Sequence, residues 1–239
     1  YHNMQKYKES ADTFAQILEA FPQGPHVAEA HLRIADYLVR EGGDPVKAIE
    51  SYSRAYETNP KGPFAGRALK GLALARYETK DYETATELFN RLVTEFPDAE
   101  LNEKTYLWTA KQLFDAQKYD QSAAVLQALL DATPDYASPN RVRFKIAECR
   151  ELASKTEEAL QLYKNIVQEA PKSTEAVESY FRMGKIYETM NEPDNAFEMY
   201  QQAANTNTDD TAARARFRIG EVQEAKGEYE AAARSYKRG

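Results

Sequence analysis

The sequence predicts an all-α chain, a solenoid of stacked helical hairpins, and three observations carry that prediction. A small residue returns in phase: Ser10, Ala48, Ala85, Ser122, Ala159, Ala196 and Ala232 are separated by 38, 37, 37, 37, 37 and 36 residues. A large side chain follows four places after each one, at Phe14, Tyr52, Phe89, Leu126, Tyr163, Tyr200 and Tyr236. A proline closes most units at Pro22, Pro60, Pro97, Pro134 and Pro171, and only Thr208 departs from the pattern. A fixed period of this length marks a repeat architecture, in which each supersecondary unit is sheltered by the next. Nowhere do apolar and polar residues alternate as they would in a half-buried strand.

Residues 180–208 display the content of one unit. Tyr180, Met183, Gly184 and Tyr187 recur at i, i+3, i+4 and i+7, the stripe of an amphipathic helix. Asn191-Glu192-Pro193 ends that helix and starts a second, whose inner face is marked by Ala196, Tyr200 and Ala203. Two short helices joined by a turn cannot hide both apolar stripes from water, so neighbouring hairpins must cover them.

In chain order, the sequence opens on the tail of a first helix, followed by a second helix over residues 7–20 that Gln23-Gly24-Pro25 ends. First and second helices then follow at 27–41 and 45–59, 65–79 and 82–95, 103–117 and 119–132, and 140–154 and 156–170. After the 180–208 unit, the last pair covers 212–226 and Tyr229 onward. Gly42-Gly43-Asp44-Pro45 carries one extra residue, which accounts for the step of 38. Asp44 reads as an N-cap with proline at the first helical position. Ser138-Pro139 starts another helix, and Ser154-Lys155-Thr156-Glu157 has the pattern of a capping box. The whole of 1–239 forms one array: a partial repeat over 1–25, full repeats over 26–62, 63–99, 100–136, 137–173 and 174–210, and a truncated one over 211–239. Tyr1 falls late in a first helix and Gly239 inside a second, so both edges read as cut from a longer array. A leader or anchor would then lie upstream.

Composition narrows the function classes. With 42% hydrophobic and 29% charged residues the chain is globular, and no apolar run nears the ~18 residues of a membrane span, so no direct membrane insertion is expected. The single cysteine, Cys149, excludes an intramolecular disulfide and, lying inside a first helix with no histidine near it in sequence, reads as a structural thiol. His26 and His31 are five apart and do not share a helix face, so they read as ordinary imidazoles and no metal site is expected. Apart from Gly42-Gly43 the glycines stand singly, and none shows a phosphate-cradling spacing. Glu157-Glu158 and Asp209-Asp210 sit at helix starts, where carboxylates favour the helix dipole. No catalytic residue and no cofactor are expected.

The small pairs Ile34-Ala35, Leu72-Ala73, Ile146-Ala147, Met183-Gly184 and Ile219-Gly220 carry a family likeness. So does the turn Gly227-Glu228-Tyr229, followed by an alanine three residues later and an aromatic four beyond that. With the closing prolines, the pattern resembles the tetratricopeptide repeat over nearly the whole chain. The family's usual period is about 34, and the excess falls in Pro60-Lys61-Gly62-Pro63 and in the segment 134–139. The resemblance implies a right-handed superhelix whose first helices line a concave groove, and a role in protein–protein interaction. The Phe21-Pro22 and Phe96-Pro97 endings are also similar to helical-repeat proteins of the bacterial envelope, such as outer-membrane assembly lipoproteins and the Tol–Pal-associated coordinator. That likeness implies a periplasmic or envelope location, with the cytoplasm as the alternative.

If Tyr180, Met183, Gly184 and Tyr187 are buried, about 100° per residue places Glu178, Phe181, Arg182, Lys185 and Glu188 on the other side. The resemblance makes that side the groove. Equivalents of Phe181 are Leu32, Lys70, Leu107, Phe144 and Phe217; those of Arg182 are Arg33, Gly71, Trp108, Lys145 and Arg218. With Lys111 and Lys185, an apolar stripe runs beside a basic one, a seat for a protein or peptide carrying acidic groups. The six first helices hold 17 basic and 12 acidic residues against a net charge of −7 for the chain. This asymmetry steers acidic partners inward, yet the chain is too acidic for a nucleic-acid binder. The plainer readings are that the Phe181 positions pack against the next repeat and that the cations pair with nearby glutamates.

Within the family, one subclass grips a peptide's terminal carboxylate through lysine and asparagine. This chain departs from it: only Lys70 fills the lysine slot, and the asparagine slot holds Asp36, Leu74, Lys111, Glu148, Lys185 and Glu221. The expected function is a non-catalytic interaction scaffold. The alternative is the accessory or oligomerisation arm of a larger enzyme or envelope assembly, and self-association through the repeat ends is a third route.

Overall fold

The computed structural model describes residues 2–42, 44–206 and 210–238, and the readings made of Tyr1, Gly43, Thr208, Asp209 and Gly239 lie outside them. The described residues form helices and no strand, grouped in two compact units, Tyr1–Gln112 and Leu113–Gly239. The first unit holds α1 (His2–Ala20), α2 (Val27–Tyr37), α3 (Pro45–Thr58), α4 (Ala65–Glu78), α5 (Tyr82–Glu95) and most of α6 (Glu103–Asp115). The second holds α7 (Tyr119–Ala132), α8 (Pro139–Leu152), α9 (Thr156–Glu169), α10 (Thr174–Thr189), α11 (Pro193–Thr206), α12 (Asp210–Ala225) and α13 (Tyr229–Arg238).

Within each unit every helix packs on the next, from α1 through α5 and from α7 through α13. First helices also touch the following first helix: α2 meets α4, α8 meets α10, and α10 meets α12. The recurring small residue explains the close approach. Ala48, Ala85, Ser122, Ala159, Ala196 and Ala232 are all buried. The large residue beside it fills the remaining space, and Tyr163 and Tyr200 are both fully enclosed. In the second unit a phenylalanine of the first helix meets that tyrosine in a tilted ring contact in each hairpin: Phe144 with Tyr163, Phe181 with Tyr200 and Phe217 with Tyr236, with ring centroids 5.5, 5.6 and 5.2 Å apart.

Helix ends are where the chain departs from its sequence pattern. The extra residue before α3 is taken up by a π turn, Leu38–Gly42, that prolongs α2. Asp44 then caps α3, its Oδ1 accepting the Lys47 backbone N–H at 3.1 Å, with Pro45 at the first turn. The α10 helix starts earlier than the 180–208 unit suggests, because Ser173 Oγ accepts the Ala176 N–H at 3.1 Å and fixes its first turn. The capping box expected at Ser154 does not form: Lys155 occupies the N-cap of α9 and makes no side-chain cap bond.

Ser154 instead has φ of 61°, and the same device closes four further hairpins, at Lys80 (64°), Gln117 (58°), Asn191 (58°) and Gly227 (79°). At each site the left-handed residue donates its N–H three residues back and its successor donates five back, as Lys80 to Tyr77 and Asp81 to Arg76. This Schellman closure favours glycine, because a Cβ strains the left-handed conformation. Lys80→Gly is therefore expected to stabilise the first unit by about 0.5–1 kcal/mol, measured as a rise in the urea midpoint at unchanged slope. Lys80 is exposed, so no lost packing obscures the result. No described helix is long and apolar enough to cross a membrane.

Candidate interaction face

Where successive first helices lie side by side, residues one period apart become neighbours, and in the second unit this register builds a connected charge cluster. Arg182 on α10 reaches back to α8, with Nη2 2.6 Å from Glu148 Oε1 and Nη1 3.4 Å from Glu151 Oε1. Its Nε lies 3.6 Å from Glu178 Oε1 on its own helix. Glu148 also holds Lys145 Nζ at 2.7 Å, and Glu178 continues the chain to Arg214 on α12 at 3.8 Å. The Tyr163 hydroxyl donates to Glu151 Oε2 at 2.8 Å. Burial and that carboxylate push the Tyr163 phenol well above its ordinary value. Burial pulls Arg182 the other way, but the carboxylates of Glu151, Glu148 and Glu178 outweigh it and hold the guanidinium charged. The cluster is internally compensated: its positive charge is already spoken for by the fold.

In the first unit the corresponding stretch is apolar. Trp108 on α6 meets Tyr77 edge-on at 4.9 Å and lies 5.9 Å from Tyr82 and 6.1 Å from Phe89. Tyr77 and Tyr82 are themselves 5.5 Å apart. Three large apolar residues around the indole stay open to solvent, Leu74 at 40%, Tyr77 at 42% and Tyr82 at 45% exposure. A cavity of about 310 Å³ opens here, walled by Leu74, Tyr77, Phe89 and Trp108 and edged by Glu78, Asn102, Lys104 and Thr105.

The candidate residues read from sequence divide into three groups. Leu32 and Phe181 are core side chains, with 0% and 4% exposure, and leave the face altogether. Leu107, Trp108 and Phe144 are half-buried, while Phe217 stays 53% exposed beside Tyr236. Most of the cations are engaged within the fold: Arg33 by Glu29 at 3.3 Å, Lys145 and Arg182 as described, Arg218 by Glu221 at 2.9 Å. Lys70 Nζ donates to the Glu100 carbonyl. Lys111 and Lys185 are exposed.

The positive surplus of the first helices also shrinks. With the observed bounds, Glu175 joins α10, Asp210 joins α12 and Lys226 falls outside, so 16 basic residues face 14 acidic ones. Glu148 and Glu151, which the sequence reading left outside the site, precede Arg182 by 34 and 31 residues, close to one period. That spacing was the signal that could have identified them as its partners.

Two family models match the sequence. One described as a tetratricopeptide repeat-like domain covers residues 67–217, and one described as a tetratricopeptide repeat covers residues 3–63. No curated protein matches it. Among solved structures, MamA is 17% identical, with 70% of this chain and 91% of that one covered at a TM-score of 0.53. BtubC from P. vanneervenii is 16% identical, with 84% and 89% covered and a TM-score of 0.51. A chain in the structure of Naa15/Naa10 bound to HypK-THB is 15% identical, with 99% of this chain and 34% of that one covered and a TM-score of 0.68. At such identities the likeness concerns the fold alone.

Proposed function

This chain belongs to the tetratricopeptide repeat family, and on that premise we propose that it is a non-catalytic scaffold that holds a protein or peptide segment against the face of its first helices. The observation that carries the reading is what the fold leaves unused there. Leu74, Tyr77 and Phe217 are 40, 42 and 53% exposed on first helices whose other apolar side chains are largely buried. Apolar side chains held open on rigid helices, next to charged ones, suit an extended or helical segment that supplies a few anchors. Most cations of the face are bound up in ion pairs, so acidic residues of a partner would meet the exposed ammonium groups of Lys104 and Lys185. The basic stripe thus gives way to scattered lysines beside an apolar surface.

Peptides selected on the full chain from a displayed random library, then mapped by backbone chemical shifts, test this reading. Perturbations are expected on α4, α6, α8, α10 or α12. Selected peptides that perturb only the second helices α3, α5, α9 and α11 would overturn it.

A further inference from the structure

Register singles out one place on this face. In the second unit Arg182, Glu148 and Glu151 form the closed ion cluster. Standing 74 residues before each of them, two repeats back, are Trp108, Leu74 and Tyr77. The three stations that hold a guanidinium and two carboxylates in one unit therefore hold an indole, an isobutyl group and a phenol in the other. The ions satisfy one another and close their site. The apolar three leave theirs open, with the cavity of about 310 Å³ between α4 and α6.

We propose that this slot anchors a segment of a partner protein through one apolar side chain of leucine, methionine or phenylalanine size, flanked by one acidic and one basic residue. The proposal rests on the reading of the first-helix face as a binding surface and adds the chemistry of what binds. The walls are Leu74 and the rings of Tyr77, Phe89 and Trp108, which favour an apolar group and would strip a charged one of part of its hydration. The volume falls at the small end of ligand cavities, about 300–1,000 Å³, and suits a single anchor. The flanking charges follow from the rim. Glu78 on α4 and Lys104 on α6 are exposed, have opposite signs, and enter no ion pair among the described residues. A segment with a basic group toward α4 and an acidic group toward α6 matches both.

The test uses the full chain and its single tryptophan. The probes are acetylated, amidated peptides with a central leucine between a lysine and a glutamate, made in both chain orders, and the same peptides with serine for leucine. The better leucine peptide is expected to shift Trp108 emission and the Leu74, Tyr77 and Trp108 resonances, and to bind about tenfold or more tightly than its serine form. Leu74→Glu should abolish that difference, and Lys104→Glu, a change of an exposed side chain, should lower affinity for the glutamate-bearing peptide and raise it for a lysine-for-glutamate version. Equal binding of leucine and serine peptides, or no response at Trp108, would overturn the slot. So would concentration-dependent dimerisation that Leu74→Glu removes, which would make a second copy the occupant. If library-selected peptides still bind the first helices of the Leu74→Glu variant unchanged, the slot falls and the scaffold reading stands. If they bind only second helices of the unaltered chain, both fall.

Discussion

Arg182→Glu is expected to cost the second unit about 3 kcal/mol or more, whereas Arg218→Glu, one repeat along at the same register, costs about 1 kcal/mol or less. Sequence alone treats the two arginines as equals. Arg182 keeps only 22% of its side chain exposed and contacts Glu148, Glu151 and Glu178, the first of them 11% exposed. A glutamate there would set a fourth carboxylate among three that had been compensated, in a site where water screens poorly. Arg218 lies 2.9 Å from Glu221 with both side chains about two-fifths exposed, so solvent takes over most of what the pair loses. Urea unfolding followed by circular dichroism measures both, and Arg182→Met gives the intermediate case in which the charge is removed and not reversed. Equal costs at the two positions would mean that the cluster is a surface network and not a structural one. Any loss of partner binding by Arg182→Glu must accordingly be read against its unfolding free energy.

The contrast between those arginines also shows what a single sequence discloses. The hairpin order, the period and the buried alanines could be read directly, because a small residue that recurs every 37 positions has one explanation at each occurrence: a helix contact too close for anything larger. Asp44 as the cap of α3 was legible for the same reason, since a cap is set by residues within one turn of it. Partners one period away were not. The sequence allows Arg182 either an open position or a nearby glutamate without saying which glutamate, and only the packing of α10 on α8 brings Glu148 and Glu151 to it. Phe181 was drawn inward for a related reason. The wheel places it opposite Met183 by angle alone, but the second helix of its own hairpin covers that flank with Tyr200, and the ring is buried. The left-handed residues escaped notice because, among the described residues, lysine, glutamine, serine and asparagine carry the conformation at four turns and glycine at one. The apolar slot was hidden for the same reason as the ion cluster: Trp108 is far from Leu74 and Tyr77 in sequence, and only the packing of α4 and α6 brings them round one cavity.

Gly184 and Tyr200 make one of the tightest backbone-to-ring approaches of the second unit, and the last prediction turns on it. A Cβ built on Gly184 would stand 2.5, 2.7 and 2.9 Å from Cε1, Cδ1 and Cζ of the Tyr200 ring. Tyr200 is fully buried and is also in tilted contact with Phe181 5.6 Å away, so the ring has little room to withdraw. Gly184→Val is expected to destabilise the unit by about 2–3 kcal/mol through overpacking, even though valine outranks glycine in helix propensity. Tyr200→Ala, in the opposite sense, opens a cavity between α10 and α11 and is expected to cost about 3–5 kcal/mol. Because each change relieves the fault of the other, the double variant should be more stable than the sum of the two losses predicts, by about 1 kcal/mol or more. Simple additivity in the double-mutant cycle would show that the helices shift apart to admit the valine, and that the glycine is not what sets their spacing. Calorimetric or urea unfolding of the four proteins decides between these outcomes, and the sign of the coupling reports the packing itself, whatever the absolute stabilities.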